Sequence, residues 1–155
     1  MSVAEKLVEL LKAQGLTCAT AESCTGGGIG ATITSVPGAS AVFAGGVISY
    51  SNEVKASVLG VSRADLETYG AVSSQVAAQM ADGARALLKT DLAVAVTGIA
   101  GPDGGSAEKP VGLVWFGISS ARGTRTEKAI FRGDRDAVRA QTITHALGML
   151  TVCAL

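Results

Sequence analysis

The run Leu92-Ala-Val-Ala-Val-Thr97 restricts the fold of this 155-residue chain more than any other segment. It is almost wholly apolar and is bounded by a charged residue before it and by glycine after it. A strand has this composition when both faces of its sheet are covered by other elements. We therefore expect a central strand with helices packed against both sides of it.

Short apolar stretches alternate along the chain with segments of helical spacing. The second predicted strand, 41–50, is expected to be mostly buried and contains glycines that would accommodate a bulge. The last two predicted strands are joined by a short turn, which predicts an antiparallel hairpin. Predicted strands cover 16–21, 41–50, 92–97, 112–119 and 124–131. The first predicted helix ends at Gly15, and the second ends near Ser35. Further helices are predicted over 51–60, 62–70 and 73–89, and the last one begins at 133. This order predicts an α/β fold, a single-domain three-layer α/β/α sandwich with a mixed sheet over residues 1–155.

Charge and composition exclude several classes of function. Thirteen basic and thirteen acidic side chains cancel, so no positive surface for nucleic acid or an acidic membrane is expected. No segment is long and apolar enough to span a bilayer, and the charged N-terminal helix is unlike a signal peptide. Three cysteines and one histidine show no metal-ligand spacing, so neither a disulfide framework nor a metal site is expected. We expect a cytoplasmic protein that acts on a small molecule.

A serine stands where the first predicted strand passes into a helix. The stretch Thr20-Ala-Glu-Ser-Cys-Thr-Gly-Gly-Gly-Ile-Gly30 places Ser23 at this turn. Glycines let backbone N–H groups approach a bound atom, and the first N–H groups of a helix favour negative charge. The turn therefore suits a phosphate or an oxyanion, although Ser23 and Thr25 would serve equally well as helix caps.

A serine nucleophile needs a base, and lysine is the available one. The single histidine, His145, lies inside the final predicted helix and is interpreted as structural, which argues against a Ser-His-Asp triad. A lysine kept neutral by burial can accept the serine proton, and a tyrosine hydroxyl between them can relay it. Tyr50 and Lys55 are the candidates, while spacing alone leaves open a solvated helix lysine and an exposed tyrosine at a strand end.

Two further segments could hold a ligand. The glycine-rich loop 98–106 directly follows the central strand, where α/β proteins bind ligands, although it could also be a long surface loop. Arg135 and Arg139 are four residues apart on the last helix and share one side of it, either as a phosphate clamp or as a solvated face.

A dinucleotide-dependent dehydrogenase is the competing enzyme class, because Gly26-Gly-Gly-Ile-Gly-Ala31 satisfies the G-x-G-x-x-A pattern after a strand. Against it, no acidic residue ends the second strand to hold a ribose, and the chain is short for a full dinucleotide fold. The separation of Tyr50 and Lys55 also differs from the Tyr-x-x-x-Lys pattern of short-chain dehydrogenases.

Several motifs in this order resemble the CinA C-terminal domain family: Thr20-Ala-Glu-Ser-Cys-Thr-Gly-Gly27, Tyr50-Ser-Asn-Glu-Val-Lys55, Gly70-Ala-Val-Ser73 and Thr97-Gly-Ile-Ala-Gly-Pro-Asp-Gly-Gly105. Lys109-Pro-Val-Gly112 and Gly133-Asp-Arg-Asp-Ala-Val-Arg139 extend the resemblance over nearly the whole chain. Active members of this family are nicotinamide-nucleotide amidases, which hydrolyse nicotinamide mononucleotide to nicotinic acid mononucleotide and ammonia. The resemblance thus implies a hydrolase acting on a carboxamide C–N bond.

The resemblance also implies roles for individual residues. Ser23 would attack the carboxamide carbon, Lys55 would accept its proton with the assistance of Tyr50, and neither a cofactor nor a metal would be required. Substrate binding is carried over to the following residues: Thr25, Gly26, Gly27, Asn52, Thr97, Gly98, Gly101, Arg135 and Arg139.

The resemblance bears on assembly as well. It implies a stand-alone form, without the N-terminal domain of larger relatives, acting in pyridine-nucleotide salvage as a homo-oligomer. The alternative is a catalytically silent nucleotide-binding or interaction module of the same fold.

Overall fold

The computed structural model of the protein describes residues 1–155. Its elements along the chain are α1 (Val3–Gln14), β1 (Cys18–Glu22), α2 (Gly28–Thr34), β2 (Phe43–Ile48), α3 (Asn52–Leu59), α4 (Arg63–Tyr69), α5 (Ser74–Leu88), β3 (Leu92–Gly98), β4 (Leu113–Ser120), β5 (Gly123–Ile130) and α6 (Arg135–Ala154). None of these helices combines the length and the apolar character needed to cross a membrane.

The strands form one mixed sheet in the order β2-β1-β3-β4-β5. β1 runs parallel to both β2 and β3, whereas β3 and β4 are antiparallel, and β4 and β5 form the predicted hairpin. The chain moves outward from β1 to β2 and then crosses back to β3 on the other side of β1. The carboxyl ends of β1 and β3 therefore border the point where the strand order reverses, which is where open α/β sheets bind ligands.

The central strand is covered on both faces, as predicted. Leu92, Val94 and Val96 of β3 pack with residues of α1, α2 and α6. Ala93 and Ala95 point to the opposite face, where they pack with residues of α3, α4 and α5. The three-layer α/β/α sandwich is thus confirmed.

The second strand differs from its prediction. β2 was expected to be mostly buried, but its residues alternate between half-buried and exposed, because it is an edge strand with no neighbour beyond it. The bulge is confirmed: Cys18 pairs with Phe43 and Ala19 with Gly45, so one residue of β2 is left over.

Two glycines leave no room for a side chain where helix α5 contacts its neighbours. A Cβ added at Gly83 of α5 would lie 2.0 Å from the carbonyl oxygen of Leu59, and one at Gly117 of β4 would lie 2.3 Å from that of Ala77. Backbone atoms cannot move aside as a flexible side chain can. These glycines therefore set how closely α5 approaches α3 and the sheet.

We predict opposite effects for two helical Gly→Ala substitutions. Gly83→Ala should lower the free energy of unfolding by about 1–3 kcal/mol, since the new methyl group meets the Leu59 carbonyl. Gly148→Ala in α6 should raise it by about 0.5–1 kcal/mol, because its Cβ would meet nothing within 4 Å and alanine favours the helix. Urea unfolding measures both, and equal effects of the two substitutions would contradict this account of the packing.

Candidate active site

A serine and a buried lysine meet at the carboxyl end of β1. Ser23 directly follows the strand, and its main-chain N–H donates to the carbonyl of Val96 on β3. Lys55 lies in α3, whose first turn is capped by the Ser51 hydroxyl. The Lys55 Nζ donates to Ser23 Oγ at 3.0 Å and to the carbonyl oxygen of Tyr50 at 2.9 Å. The predicted pairing of Ser23 with Lys55 is therefore present in the structure.

Burial changes the acidity of this lysine. Lys55 is 1% exposed and forms no salt bridge, so neither water nor a carboxylate stabilises its charge. This burial lowers the pKa of Lys55 to about 8. Roughly a tenth of the molecules then carry a neutral amine at pH 7, and about half carry one at pH 8. A neutral amine beside a serine hydroxyl can accept its proton.

The position of Tyr50 differs from the one predicted. The sequence interpretation placed its hydroxyl as a relay between Ser23 and Lys55, but the two side chains contact each other directly. The phenol makes no hydrogen bond and the residue is 63% exposed. Tyr50 instead contributes its main-chain carbonyl to Lys55, which orients the amine.

The Ser23–Lys55 pair opens into a cleft of about 190 Å³. Several residues predicted from the sequence line this cleft together: Ser23, Tyr50, Asn52, Lys55, Thr97, Gly98 and Arg135. Cys24, Ala71, Val72 and Ala100 complete the wall and were not predicted. Five chain segments that are far apart in the sequence therefore converge on one edge of the sheet.

Two of these residues also hold the loops around the cleft. The Thr97 hydroxyl donates to the carbonyl of Ala71 at 2.9 Å, which ties the connection between α4 and α5 to the end of β3. Arg135 donates through Nη1 to the carbonyl of Gly101 at 2.8 Å, so Gly101 supports the arginine from behind. The other N–H groups of the exposed Arg135 have no protein acceptor and remain free for an anion.

Some predicted binding residues of the turn after Ser23 do not face the cleft. Thr25 is fully buried, and its hydroxyl donates inward to Glu22 at 2.5 Å. Gly26 and Gly27 do not line the cleft, and their positive φ angles of 58° and 101° form the turn. Arg139 lies behind the turn, with Nε 3.1 Å from the carbonyl oxygen of Cys24 and Nη2 3.2 Å from that of Thr25.

Glu22 is the residue that the sequence interpretation missed. Its buried carboxylate accepts from the N–H groups of Ile29 at 2.8 Å and Gly30 at 3.0 Å, at the start of α2, and from the Thr25 hydroxyl. The helix end that was expected to attract a phosphate therefore already holds an internal anion. The same contact argues against the dehydrogenase alternative, which needs this helix end for a pyrophosphate. The seven-residue span from Glu22 to Ile29 fits no local capping pattern.

Two N–H groups beside the serine have no acceptor in another residue. The main-chain N–H groups of Cys24 and Thr25 donate to no other residue, and that of Cys24 contacts only its own Sγ, whereas those of Ser23, Gly26 and Gly28 donate to main-chain carbonyls. Unpaired N–H groups next to a nucleophile are the groups that stabilise an oxyanion in acyl transfer. The turn can therefore stabilise an anionic intermediate even though Glu22 already accepts from the N–H groups at the start of α2.

The Cys24 thiol and the His145 imidazole have other surroundings than the Ser23–Lys55 pair. Burial raises the pKa of Cys24 to about 11, so the thiol stays neutral near pH 7. His145 contacts Glu127 at 2.6 Å and packs on the Phe116 ring at 4.3 Å, outside the cleft. No three residues among the His, Cys, Asp and Glu side chains are grouped so that they could hold a metal ion.

Comparison with known proteins places this geometry in a family. The family model of the CinA C-terminal domain matches residues 1–154. The nicotinamide-nucleotide amidohydrolase PncC of Escherichia coli K12 is 50% identical over 151 residues, which cover 97% of this chain and 92% of that protein. A putative competence-damage inducible protein of Caldanaerobacter subterraneus is 50% identical over 146 residues, but the chain spans only 35% of its length.

Solved structures agree with this assignment. A competence-damaged protein (CinA) superfamily protein from Klebsiella pneumoniae superposes with a TM-score of 0.94 at 34% identity, over 98% of this chain and 95% of that chain. The competence/damage inducible protein CihA from Agrobacterium tumefaciens gives a TM-score of 0.92 at 42% identity, over 99% and 96% of the two chains. The topology therefore belongs to a fold with experimental precedents.

We predict that Lys55→Met stabilises the fold at pH 7, by about 1–3 kcal/mol, because folding no longer buries a charge. In the wild-type protein the folded lysine loses its proton above about pH 8, whereas the unfolded lysine keeps it to its usual value of 10.5. Wild-type stability therefore rises across this window, and the advantage of the variant should shrink from pH 8 to pH 10.5.

Urea unfolding at several pH values measures this difference. Lys6→Met is the matched control, since Lys6 is an exposed lysine of α1, and we expect no such pH-dependent gain from it. A Lys55→Met advantage that stays constant from pH 7 to pH 10.5 would contradict the lowered pKa of Lys55.

Proposed function

This chain belongs to the CinA C-terminal domain family, and we propose that it is a nicotinamide-nucleotide amidase that hydrolyses nicotinamide mononucleotide to nicotinic acid mononucleotide and ammonia. The proposal depends on one observation above all, the 3.0 Å contact between Ser23 and a buried lysine whose pKa is lowered to about 8. A serine with a neutral amine beside it is a nucleophile with its base. The name of the E. coli relative supports the choice of substrate.

In the first half of the proposed reaction, Ser23 Oγ attacks the carboxamide carbon while Lys55 takes the hydroxyl proton. In the neutral amine one N–H can stay with the Tyr50 carbonyl while the lone pair turns to Ser23 Oγ, which lies 3.0 Å away. The C–N bond of the tetrahedral intermediate then breaks, and Lys55 returns the proton to the departing nitrogen, which leaves as ammonia. A nicotinoyl ester on Ser23 remains.

Water completes the cycle in the second half. Lys55, neutral again, accepts a proton from the water that attacks the ester carbon, and the same proton returns to Ser23 Oγ when the ester bond breaks. In both halves the negative charge develops on the carbonyl oxygen of the substrate. The unpaired N–H groups of Cys24 and Thr25 are the proposed donors to that oxygen.

The cleft suggests how the rest of the nucleotide is held. Arg135 lies at the rim with free N–H groups, which suit a phosphate through charge-assisted hydrogen bonds. The exposed phenol of Tyr50 offers an aromatic surface to the pyridine ring, and Asn52 and Thr97 offer polar groups nearby. We assign the phosphate to Arg135 because Arg139 does not line the cleft.

We predict that the purified protein releases ammonia from nicotinamide mononucleotide without added metal and in the presence of chelator. Ser23→Ala and Lys55→Ala should each lower kcat by about 10³-fold or more, because each removes one member of the nucleophile–base pair. A coupled ammonia assay measures the rates, and circular dichroism verifies folding. Substrate binding without any ammonia release by the wild-type protein would favour the silent binding module instead.

We also predict a pH profile. Because the neutral form of Lys55 is the base, kcat should rise about tenfold per pH unit below pH 8 and level off above it. Initial rates at saturating nucleotide between pH 6 and pH 9.5 give the profile. A rate that is flat over this range would contradict lysine as the base.

A further inference from the structure

We propose that Arg139 is the positioning residue of the oxyanion site, holding and polarising the peptide groups whose N–H bonds lie beside Ser23. This inference rests on the proposed amide hydrolysis and assigns to Arg139 a task other than binding the phosphate. It follows from which carbonyl oxygens the guanidinium contacts and from the planarity of the peptide unit.

The first contact acts directly on one of the free N–H groups. Arg139 Nε donates to the carbonyl oxygen of Cys24 at 3.1 Å. That carbonyl and the N–H of Thr25 belong to the same trans peptide, so they point in opposite directions. By fixing the carbonyl toward α6, the arginine turns the Thr25 N–H away from α6.

The second contact reaches the other free N–H group through one intervening hydrogen bond. Arg139 Nη2 donates to the carbonyl oxygen of Thr25 at 3.2 Å, and the N–H of that same peptide, which belongs to Gly26, donates to the Ser23 carbonyl at 3.1 Å. The Ser23 carbonyl shares its peptide with the N–H of Cys24. The guanidinium therefore holds the peptide that carries the Thr25 N–H itself, and it reaches the peptide that carries the Cys24 N–H through one intervening peptide.

The charge of Arg139 increases the effect of this geometry. Arg139 forms no salt bridge, so no carboxylate neutralises the guanidinium that faces the two carbonyl oxygens. A cation at the oxygen end of a peptide strengthens its N–H as a donor, and hydrogen bonds in series reinforce one another. The N–H groups of Cys24 and Thr25 are therefore stronger and better oriented donors than unsupported turn amides.

The placement of Arg139 separates this role from phosphate binding. Two of its N–H groups are engaged by main-chain oxygens, and the side chain lies behind the turn rather than in the cleft. Arg135, one helical turn earlier, lines the cleft itself. The two arginines should therefore affect different kinetic constants.

The test compares variants on substrates with and without the phosphate. For Arg139→Met we expect kcat to fall by about 10- to 100-fold on both nicotinamide mononucleotide and nicotinamide riboside, with KM little changed, because a transition-state interaction is weakened. Arg139→Lys keeps the charge but cannot contact both carbonyl oxygens, so its kcat should fall by nearly the same factor. Arg135→Met should instead raise KM for the mononucleotide and spare the riboside.

A second readout does not depend on the amide substrate. Phosphonylation of Ser23 by a fluorophosphonate also places an oxygen at the oxyanion site, so its rate, followed by intact-mass spectrometry, should fall in Arg139→Met by a similar factor. Millimolar guanidinium should restore part of that rate in Arg139→Ala. Arg132→Met, which removes an exposed arginine without side-chain partners, should match the wild-type protein.

The outcomes distinguish this inference from the proposed function. Wild-type protein that is phosphonylated but releases no ammonia would refute the proposed function, and the labelling rates would still test Arg139. A loss in Arg139→Met confined to KM for the mononucleotide would overturn the inference in favour of a phosphate clamp. Unchanged labelling in Arg139→Met, or a wild-type Ser23 that does not label at all, would also overturn it.

Discussion

A buried lysine amine without a carboxylate partner is the constraint on which the rest of this site depends. Lys55 has lost nearly all contact with water and receives in exchange only a hydroxyl and a main-chain carbonyl. Those neutral groups stabilise an ammonium poorly, so the pKa of Lys55 falls to about 8. The energetic disadvantage of burying the lysine and its usefulness as a base have the same cause.

Like Lys55, the charged groups Glu22 and Arg139 near Ser23 are hydrogen-bonded to neutral groups rather than to an opposite charge. Glu22 is held by N–H groups at the start of α2, and Arg139 is held by carbonyl oxygens of the Ser23 turn. A direct Glu22–Arg139 ion pair would cancel both charges. Because they are not paired, the carboxylate holds the start of α2 and the guanidinium holds the carbonyl oxygens of the Ser23 turn.

The sequence was sufficient to predict the elements whose structure is determined by a local pattern. The apolar run of β3, the hairpin of β4 and β5, and the position of Ser23 at the end of β1 all follow from periodicity and glycine punctuation. The burial of β2 was predicted wrongly, because its position at the sheet edge depends on strand order, which its own residues do not encode.

The site was harder to predict than the fold, because side-chain direction depends on tertiary packing. A threonine in a glycine-rich turn resembles a ligand-binding residue, yet Thr25 donates to a buried carboxylate. Two arginines on one side of a helix resemble a single clamp, yet Arg135 lines the cleft and Arg139 lies behind the turn. Glu22 escaped notice because its main-chain partners are seven and eight residues away and no standard spacing connects them.

A titration of Lys55 itself shows whether burial lowers the pKa of its amine. Following the ¹³Cε resonance of Lys55 by NMR, assigned through its absence in Lys55→Met, gives the pKa of this side chain without any substrate. We expect a midpoint of about 8. A midpoint at the ordinary lysine value of 10.5 would mean that the amine is still charged at neutral pH and cannot activate Ser23 as a base.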